Sequence, residues 1–135
     1  MQNFVAKIST RNDIEKQAAL NPAQIINCQK QLRQSNIAPI PEAYLELLHI
    51  YNGLYLDGAW LAGIHDDRTN LDLYLLNIQA KHPLSRDIII LGCDDFDYLA
   101  FNHKWQTYQI IDKDDLEVLE EYQQLEQALN HLLKL

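Results

Sequence analysis

The fold is decided by the stretch Ile37-Ala-Pro-Ile-Pro-Glu-Ala-Tyr-Leu-Glu-Leu-Leu-His-Ile-Tyr-Asn-Gly53. Pro41 suits the first position of a helix, where its fixed φ and missing N–H cost nothing. Gly53 after Asn52 supplies the left-handed residue that closes a helix. Between them, apolar side chains recur at helical spacing, at Tyr44, Leu47, Leu48 and Tyr51. The stretch therefore predicts an amphipathic helix that ends at Gly53 in the left-handed conformation.

Two further helices are predicted before this stretch. Ser9 or Thr10 can cap the first, and Asn21-Pro22 marks the start of the second, with Asn21 as the N-cap. One side of the second helix is predicted to carry Ile25, Ile26, Gln29 and Leu32. The N-terminal segment, residues 1–36, is thus predicted to be a helical extension of a single domain that spans residues 1–135.

After Gly53 the pattern changes to short apolar runs bounded by turn residues. Asp57-Gly58, between two such runs, is typical of a two-residue β-hairpin. Residues 71–80 fit both a strand and a helical face, and the helix is favoured. Ile88-Ile-Ile-Leu91 is apolar on both faces, which predicts an interior strand. Further strands are predicted at 98–102, 107–111 and 116–119, and a closing amphipathic helix at 123–133.

Length, cysteines and hydropathy define the class of protein. A chain of 135 residues is long enough to bury a core of its own. Cys28 and Cys93 lie in apolar segments, so we expect buried free thiols rather than a disulfide. The chain has no run of about 18 apolar residues and no signal-like N-terminus. We therefore expect a cytoplasmic protein that does not enter membranes.

The net charge of −8 is unevenly distributed. Residues 57–135 hold six basic and fifteen acidic side chains, a balance of −9, whereas residues 1–56 have a balance of +1. A negative field repels nucleic acid and attracts basic partners, although an acidic surface can also serve solubility alone. We expect no nucleic-acid partner.

Two acidic clusters could be taken for metal sites. Asp94, Asp95 and Asp97 follow the buried strand, where metal-dependent hydrolases place ligands. A β-turn explains them better, because Asp side chains accept hydrogen bonds from nearby backbone N–H groups. Asp112, Asp114 and Asp115 begin like a calcium loop that lacks its glycine and bidentate glutamate, so a solvated turn is favoured. No metal, cofactor or catalytic residue is predicted.

The two tryptophans are the remaining candidates for a site. Trp60 and Trp105 are expected to be core or half-buried strand residues, because tryptophan is highly buried on average. If Trp105 were exposed in its strand connection, it would be a natural interface anchor, since aromatic residues dominate binding hot spots.

The order of several motifs resembles the SUKH superfamily, which includes the yeast Smi/Knr cell-wall regulators and bacterial immunity proteins. The similar positions are Pro41, Tyr44, Asn52-Gly53, the hairpin ending Leu61-Ala-Gly63-Ile64, Asp72 with Asn77, Ile90-Leu-Gly92, and the strand pair from Tyr98 to Asp112. They cover most of the chain from residue 37 onward and are most similar to the bacterial YrhA-like branch. The helical N-terminus before Pro41 departs from the pattern.

The resemblance implies an α+β fold, with N-terminal helices and a C-terminal helix around a twisted, mainly antiparallel sheet of about five or six strands. It also implies a non-catalytic protein-binding module, most readily an immunity protein that neutralises a cognate toxin, often a nuclease, of a bacterial polymorphic toxin system. The alternatives are a small metal-dependent hydrolase that uses the Asp94–Asp97 cluster and an intracellular regulatory interaction protein.

If the chain neutralises a toxin, we expect the partner to be a basic toxin domain. An acidic surface would mimic the phosphate that a nuclease binds and would steer association. The residues predicted to bind this partner are Asp66, Asp67, Asp94, Asp95, Asp97, Trp105, Asp112, Asp114 and Asp115.

Overall fold

The structure is a computed structural model that describes residues 2–19, 21–65, 71–80 and 86–135. The helices are α1 (Gln2–Ser9), α2 (Pro22–Gln34), α3 (Glu42–Leu48), α4 (Leu73–Gln79) and α5 (Leu125–Leu133). The strands are β1 (Glu15–Ala18), β2 (Tyr51–Leu56), β3 (Ala59–Leu61), β4 (Ile88–Cys93), β5 (Asp97–Asn102), β6 (Thr107–Asp112) and β7 (Val118–Tyr122).

The strands form one antiparallel sheet in the order β1-β2-β3-β4-β5-β6-β7. The α+β class, with helices at both ends of the chain, is confirmed. In the described part of the chain the sheet has seven strands, however, rather than the about five or six predicted. The additional strand is β1, which pairs with β2 and lies within the segment predicted to be only helical.

The first predicted helix was wrong at its start. Ser9 ends α1 instead of beginning a helix, and its hydroxyl donates to the carbonyl of Ala6 at 3.0 Å. The chain then turns into β1, and the Lys16 ammonium donates to three backbone carbonyls of this turn, those of Ile8, Arg11 and Ile14. These contacts and the pairing with β2 make residues 15–18 a strand.

The second helix begins as predicted. Asn21 caps α2 by accepting from the N–H of Gln24 at 3.0 Å, and the Gln24 side chain accepts from the N–H of Asn21. This reciprocal pair is a capping box. The buried side of α2 differs from the prediction. Ile26 is 62% exposed, whereas Ile25, Cys28 and Leu32 are buried.

Gly53 has the predicted positive φ, +80°, but the prediction of its place was wrong. The third helix ends at Leu48, with Pro41 at its N-cap, and Gly53 lies within β2. A Cβ at Gly53 would lie 2.5 Å from the carbonyl oxygen of Leu61. Glycine is therefore required by the close approach of β3 and not by a helix end.

Polar side chains of the motif residues tie the chain segments together. The hydroxyl of Tyr44, fully buried, lies within hydrogen-bonding distance of the carbonyls of Ala62 and Leu91. Asn52 bonds both the N–H and the carbonyl of Ile64. Asp72 caps α4 and accepts from the N–H of His65 at 2.8 Å. The contacts of these residues are therefore within the scaffold.

The hairpin, the interior strand and α4 agree with the sequence. Asp57 and Gly58 both have positive φ and join β2 to β3, as expected for a two-residue turn. In β4, Ile89, Ile90 and Leu91 are fully buried and Ile88 is half-buried. Where β3 stops, the Asn77 amide continues the pairing of β4 by bonding the N–H and carbonyl of Ile90.

The C-terminal half follows the predicted order. β5 and β6 agree with the predicted pair within a residue, β7 starts two residues later than predicted, and α5 covers 125–133. Both cysteines are buried and free. Of the helices in the described part of the chain, none is long and apolar enough to cross a membrane.

Candidate protein-binding surface

Two of the acidic clusters are brought together at one end of the sheet. Asp97 lies directly opposite Asp112 in the register of β5 and β6. The N–H of Lys113 donates to the carbonyl of Phe96 at 2.9 Å, so the two turns contact each other. The pairing of β3 with the end of β4 brings the Asp57-Gly58 turn to the same end. We call this surface the acidic end: Asp57, Asp94, Asp95, Asp97, Asp112, Asp114 and Asp115.

A cleft of about 360 Å³ opens at the acidic end. Asp57, Asp94 and Asp95 line it, together with Phe96, Lys134 and the leucines at the C-terminal end of the chain. Arg11 also lines it and is bound to Asp13, with 2.8 Å between Nε and Oδ1. The cleft therefore combines negative charge with an apolar wall.

The Asp94 side chain is used by its own turn. Its Oδ1 accepts from the N–H of Phe96 at 2.9 Å and from the N–H of Asp97 at 2.7 Å. These bonds confirm the turn interpretation. Within residues 2–19, 21–65, 71–80 and 86–135, no three His, Cys, Asp or Glu side chains are grouped so that they could hold a metal ion.

The Asp112 side chain has the same role in the next turn. Its Oδ1 accepts from the N–H of Asp114 at 2.8 Å and from that of Asp115 at 3.2 Å. Asp115 in turn accepts from the N–H of Glu117 at 2.9 Å. The turn is held by these bonds, and the side chains of Asp114 and Asp115 are exposed, as expected for a solvated turn.

Burial and the neighbouring carboxylates both act on Asp97. Desolvation raises the pKa of Asp97 above its ordinary value, and the negative charges of Asp94 and Asp112 raise it further. His131 and Lys113 act in the opposite direction. Like charges at directly opposite positions of a sheet are destabilising. The concentration of negative charge at the acidic end therefore lowers the stability of the fold.

Asp57 and Phe96 belong to this surface but were not among the residues predicted from the sequence to bind the partner. Phe96 lies between Asp95 and Asp97, and its side chain is 76% exposed. The sequence signal that was available is an aromatic residue with acidic neighbours at the tip of a predicted turn, where it has no packing role. Exposed aromatic residues of this kind are the usual anchors of interfaces.

Trp105 does not join the acidic end. It is 64% exposed in the turn after Asn102, and the Lys104 ammonium lies 5.2 Å from its ring centroid. Asn102 pairs with Thr107, five residues along β5 from the Asp97–Asp112 pair, which is on the order of 16 Å at about 3.3 Å per residue. The expectation that Trp105 is core or half-buried was therefore wrong, and its role in partner binding, at the opposite end of the sheet, stays a prediction. Trp60 is half-buried, and its ring is tilted by 46° against that of Tyr55, with 5.0 Å between the ring centroids.

The first acidic cluster, Asp66 and Asp67, lies outside the described residues. Its position relative to the acidic end therefore stays a prediction.

The two thiols lack the chemistry of nucleophiles. Burial raises the pKa of the Cys28 thiol to about 12, and burial also raises that of Cys93. A nucleophilic cysteine needs the opposite, a thiolate formed near neutral pH in an electropositive setting. The arrangement at the acidic end can attract and bind cationic groups, and the described geometry supplies no activated nucleophile there.

No protein-family model matches this chain, and no curated protein matches it in sequence. In structure, the chain is similar to a protein from Pseudomonas syringae pv. tomato whose crystal structure is known. The TM-score is 0.78 with 15% sequence identity, and the match covers 100% of both chains. At this identity the likeness shows the fold alone.

Proposed function

We propose that this chain is a non-catalytic protein-binding module that acts in the bacterial cytoplasm as an immunity protein and neutralises a basic toxin domain. The observation that carries the proposal is the acidic end, where three acidic turns meet next to Phe96, whose side chain is exposed. A hydrophobic anchor inside a charged rim is the usual anatomy of a protein interface.

The acidic end has the charge pattern that a basic partner requires. Its carboxylates lie on turns or at the ends of β5 and β6 rather than in the core, so most of them steer a partner without a large desolvation cost. Asp94 and Asp112 stabilise those turns through backbone hydrogen bonds, which presents the neighbouring acids in a fixed geometry. Preorganisation of this kind reduces the entropy lost on binding.

The resemblance to the SUKH superfamily supports the toxin as partner, and the hydrolase alternative has no observation in its favour. Asp94 Oδ1, the first candidate ligand, is already occupied by two backbone N–H groups of the turn. A regulatory interaction protein would use the same surface and is separated from an immunity protein by the identity of the partner.

The test is co-purification of the tagged chain from its source cell, with mass-spectrometric identification of what binds. We expect a basic protein that arrests growth when it is expressed alone and is harmless when co-expressed with this chain. A variant with asparagine at every residue of the acidic end should lose this protection, whereas the control Glu42→Gln/Glu46→Gln, on exposed positions of α3, should retain it. A partner that is not toxic, or protection that survives in the first variant, would contradict the proposal.

A further inference from the structure

The strand β7 leaves one edge of the sheet open. The sheet ends at β1 on one side and at β7 on the other, and β7 pairs only with β6 among the described strands. All but the last residue of β7 are exposed, including Val118 at 41% and Leu119 at 46%. A strand edge of this kind presents backbone N–H and C=O groups to solvent.

The hydrogen bonds fix which backbone groups face outward. The N–H of Asp112 points toward β7, because it donates to the carbonyl of Glu117 at 2.9 Å. Since these directions alternate along a strand, Ile110 and Tyr108 also face β7, where they pair with Glu120 and Tyr122. Glu121 lies between these two partners, so its N–H and C=O point away from β6 and into solvent.

The two edges of the sheet differ in their protection. β1 has four residues, and its Lys16 points back to bind three carbonyls of the preceding turn. Short strands, lysine and bulges are the features that keep an edge from pairing. β7 has a register shift at Leu119, yet it has no lysine and exposes two large apolar side chains.

The charge along β7 specifies what could pair with it. Glu117, Glu120 and Glu121 give the strand and its entry three carboxylates in six residues. A second copy of β7 would bring these carboxylates against one another, and like charges across a pair are destabilising. An extended segment with basic side chains would place opposite charges across the new pair instead.

A buried acceptor beside β7 also favours a cationic occupant. The Glu121 carboxylate accepts from the hydroxyl of Thr107 at 2.9 Å and from the amide nitrogen of Gln109 at 3.4 Å. Gln109 is 4% exposed, and its Oε1 has no hydrogen-bond partner among the described residues. A lysine opposite Glu121 on an added strand would therefore face its carboxylate, and the unpartnered Gln109 Oε1 lies on the same face of the sheet.

We propose that the outer edge of β7 is a docking site for an extended basic peptide segment, which pairs with it as an eighth strand. Backbone hydrogen bonds centred on Glu121 supply the pairing, and the Glu121 carboxylate selects lysine or arginine at the position opposite it. The site is centred on Glu121, which pairs with Gln109, three residues along β6 from Asp112 of the acidic end, and it does not require a toxin partner.

The experiment uses the full chain labelled with ¹⁵N and a synthetic peptide of alternating lysine and threonine. A second peptide with every backbone nitrogen methylated has the same charge and has no backbone N–H to donate to β7. We expect the first peptide to shift the β7 amide signals and to slow hydrogen exchange at Glu121, and the second to do neither. Equal binding of both peptides, or shifts confined to the acidic end, would overturn the proposal.

Substitutions then separate pairing from general charge attraction. Leu119→Lys adds a lysine, the residue that keeps other edge strands from pairing. It should weaken binding of the first peptide roughly tenfold, because the lost binding free energy equals that of one or two exposed charge pairs. Ile26→Lys, at a similarly exposed residue of α2, is the control and should leave it unchanged. Equal weakening of peptide binding by both variants would contradict the proposal. Slower hydrogen exchange at Glu121 that depends on protein concentration in the absence of peptide would also contradict it, because that result would identify a second copy as the occupant.

Discussion

Asp97 on β5 and Asp112 on β6 lie directly opposite each other in the sheet. Desolvation and the charges of Asp94 and Asp112 raise the pKa of Asp97 in the folded protein. The first prediction is therefore that Asp97→Asn increases the free energy of unfolding at pH 7 by about 0.2–1 kcal/mol, the usual size of a like-charge cross-strand effect.

The same substitution has a defined pH dependence. A carboxyl with a raised folded-state pKa contributes stability below its unfolded pKa, ~3.9, and loses it as the pH rises through the folded value. The advantage of Asp97→Asn should therefore be present at pH 7 and absent near pH 3, as measured by urea unfolding at both pH values. Asp95→Asn, an exposed position outside β5, is the control. An advantage that persists unchanged at pH 3 would contradict the electrostatic explanation.

Phe96 and Trp105 provide a test of which end of the sheet binds. Both are largely exposed, at 76% and 64%, so alanine at either position should leave the fold intact. We expect Phe96→Ala to weaken binding of the co-purified partner by roughly 1–4 kcal/mol, as for a hot-spot residue, and Trp105→Ala to have little effect. Calorimetric titration measures both. The reverse result would place the interface at the β5–β6 turn.

Ile90 tests the interior position of β4. Its side chain is fully buried between β3 and β5, so Ile90→Ala should cost ~2–5 kcal/mol in the free energy of unfolding. Ile78→Ala, at an exposed position on α4, should cost within about 0.5 kcal/mol. Thermal or urea unfolding compares the two, and similar small losses would be inconsistent with the buried strand.

Gly53 and Gly58 form a second matched pair, since both have positive φ and only one is crowded. Gly58 has open space around it, so Gly58→Ala should cost about 1–2 kcal/mol for the left-handed conformation alone. Gly53→Ala adds a clash with the carbonyl of Leu61 and should cost distinctly more. Equal losses measured by urea unfolding would show that the close approach of β2 and β3 has no energetic importance.

Local signals in the sequence were sufficient for much of the fold. Asn21 and Gln24 form a capping box whatever lies nearby, and the Asp57-Gly58 turn needs only its own backbone. Residues 15–18 have no strand pattern, and they become β1 through pairing with β2. Gly53 has the expected φ, but the reason for it, contact with Leu61, depends on a neighbouring strand.

The candidate surface was less predictable than the fold. That Asp94 and Asp112 begin turns followed from their sequence context, since both side chains bond backbone N–H groups of the next residues. Their juxtaposition follows from the register of β5 and β6, which spacing alone does not define. The same register separates Trp105 from them.

The central claim is that the acidic end steers a basic partner. Its most direct test is the association rate constant with the co-purified partner, for the natural chain and for the variant with asparagine at every residue of the acidic end. Asparagine keeps the hydrogen-bond acceptors of both turns while removing their charge. Glu42→Gln/Glu46→Gln is the control.

We predict that at ~0.01 M salt the asparagine variant associates about tenfold or more slowly than the natural chain. The difference should shrink at ~0.15 M salt, where screening shortens from about 30 to about 8 Å, and the control should behave as the natural chain at both salt concentrations. An association rate that is unaltered by the asparagine substitutions at ~0.01 M salt would contradict the account.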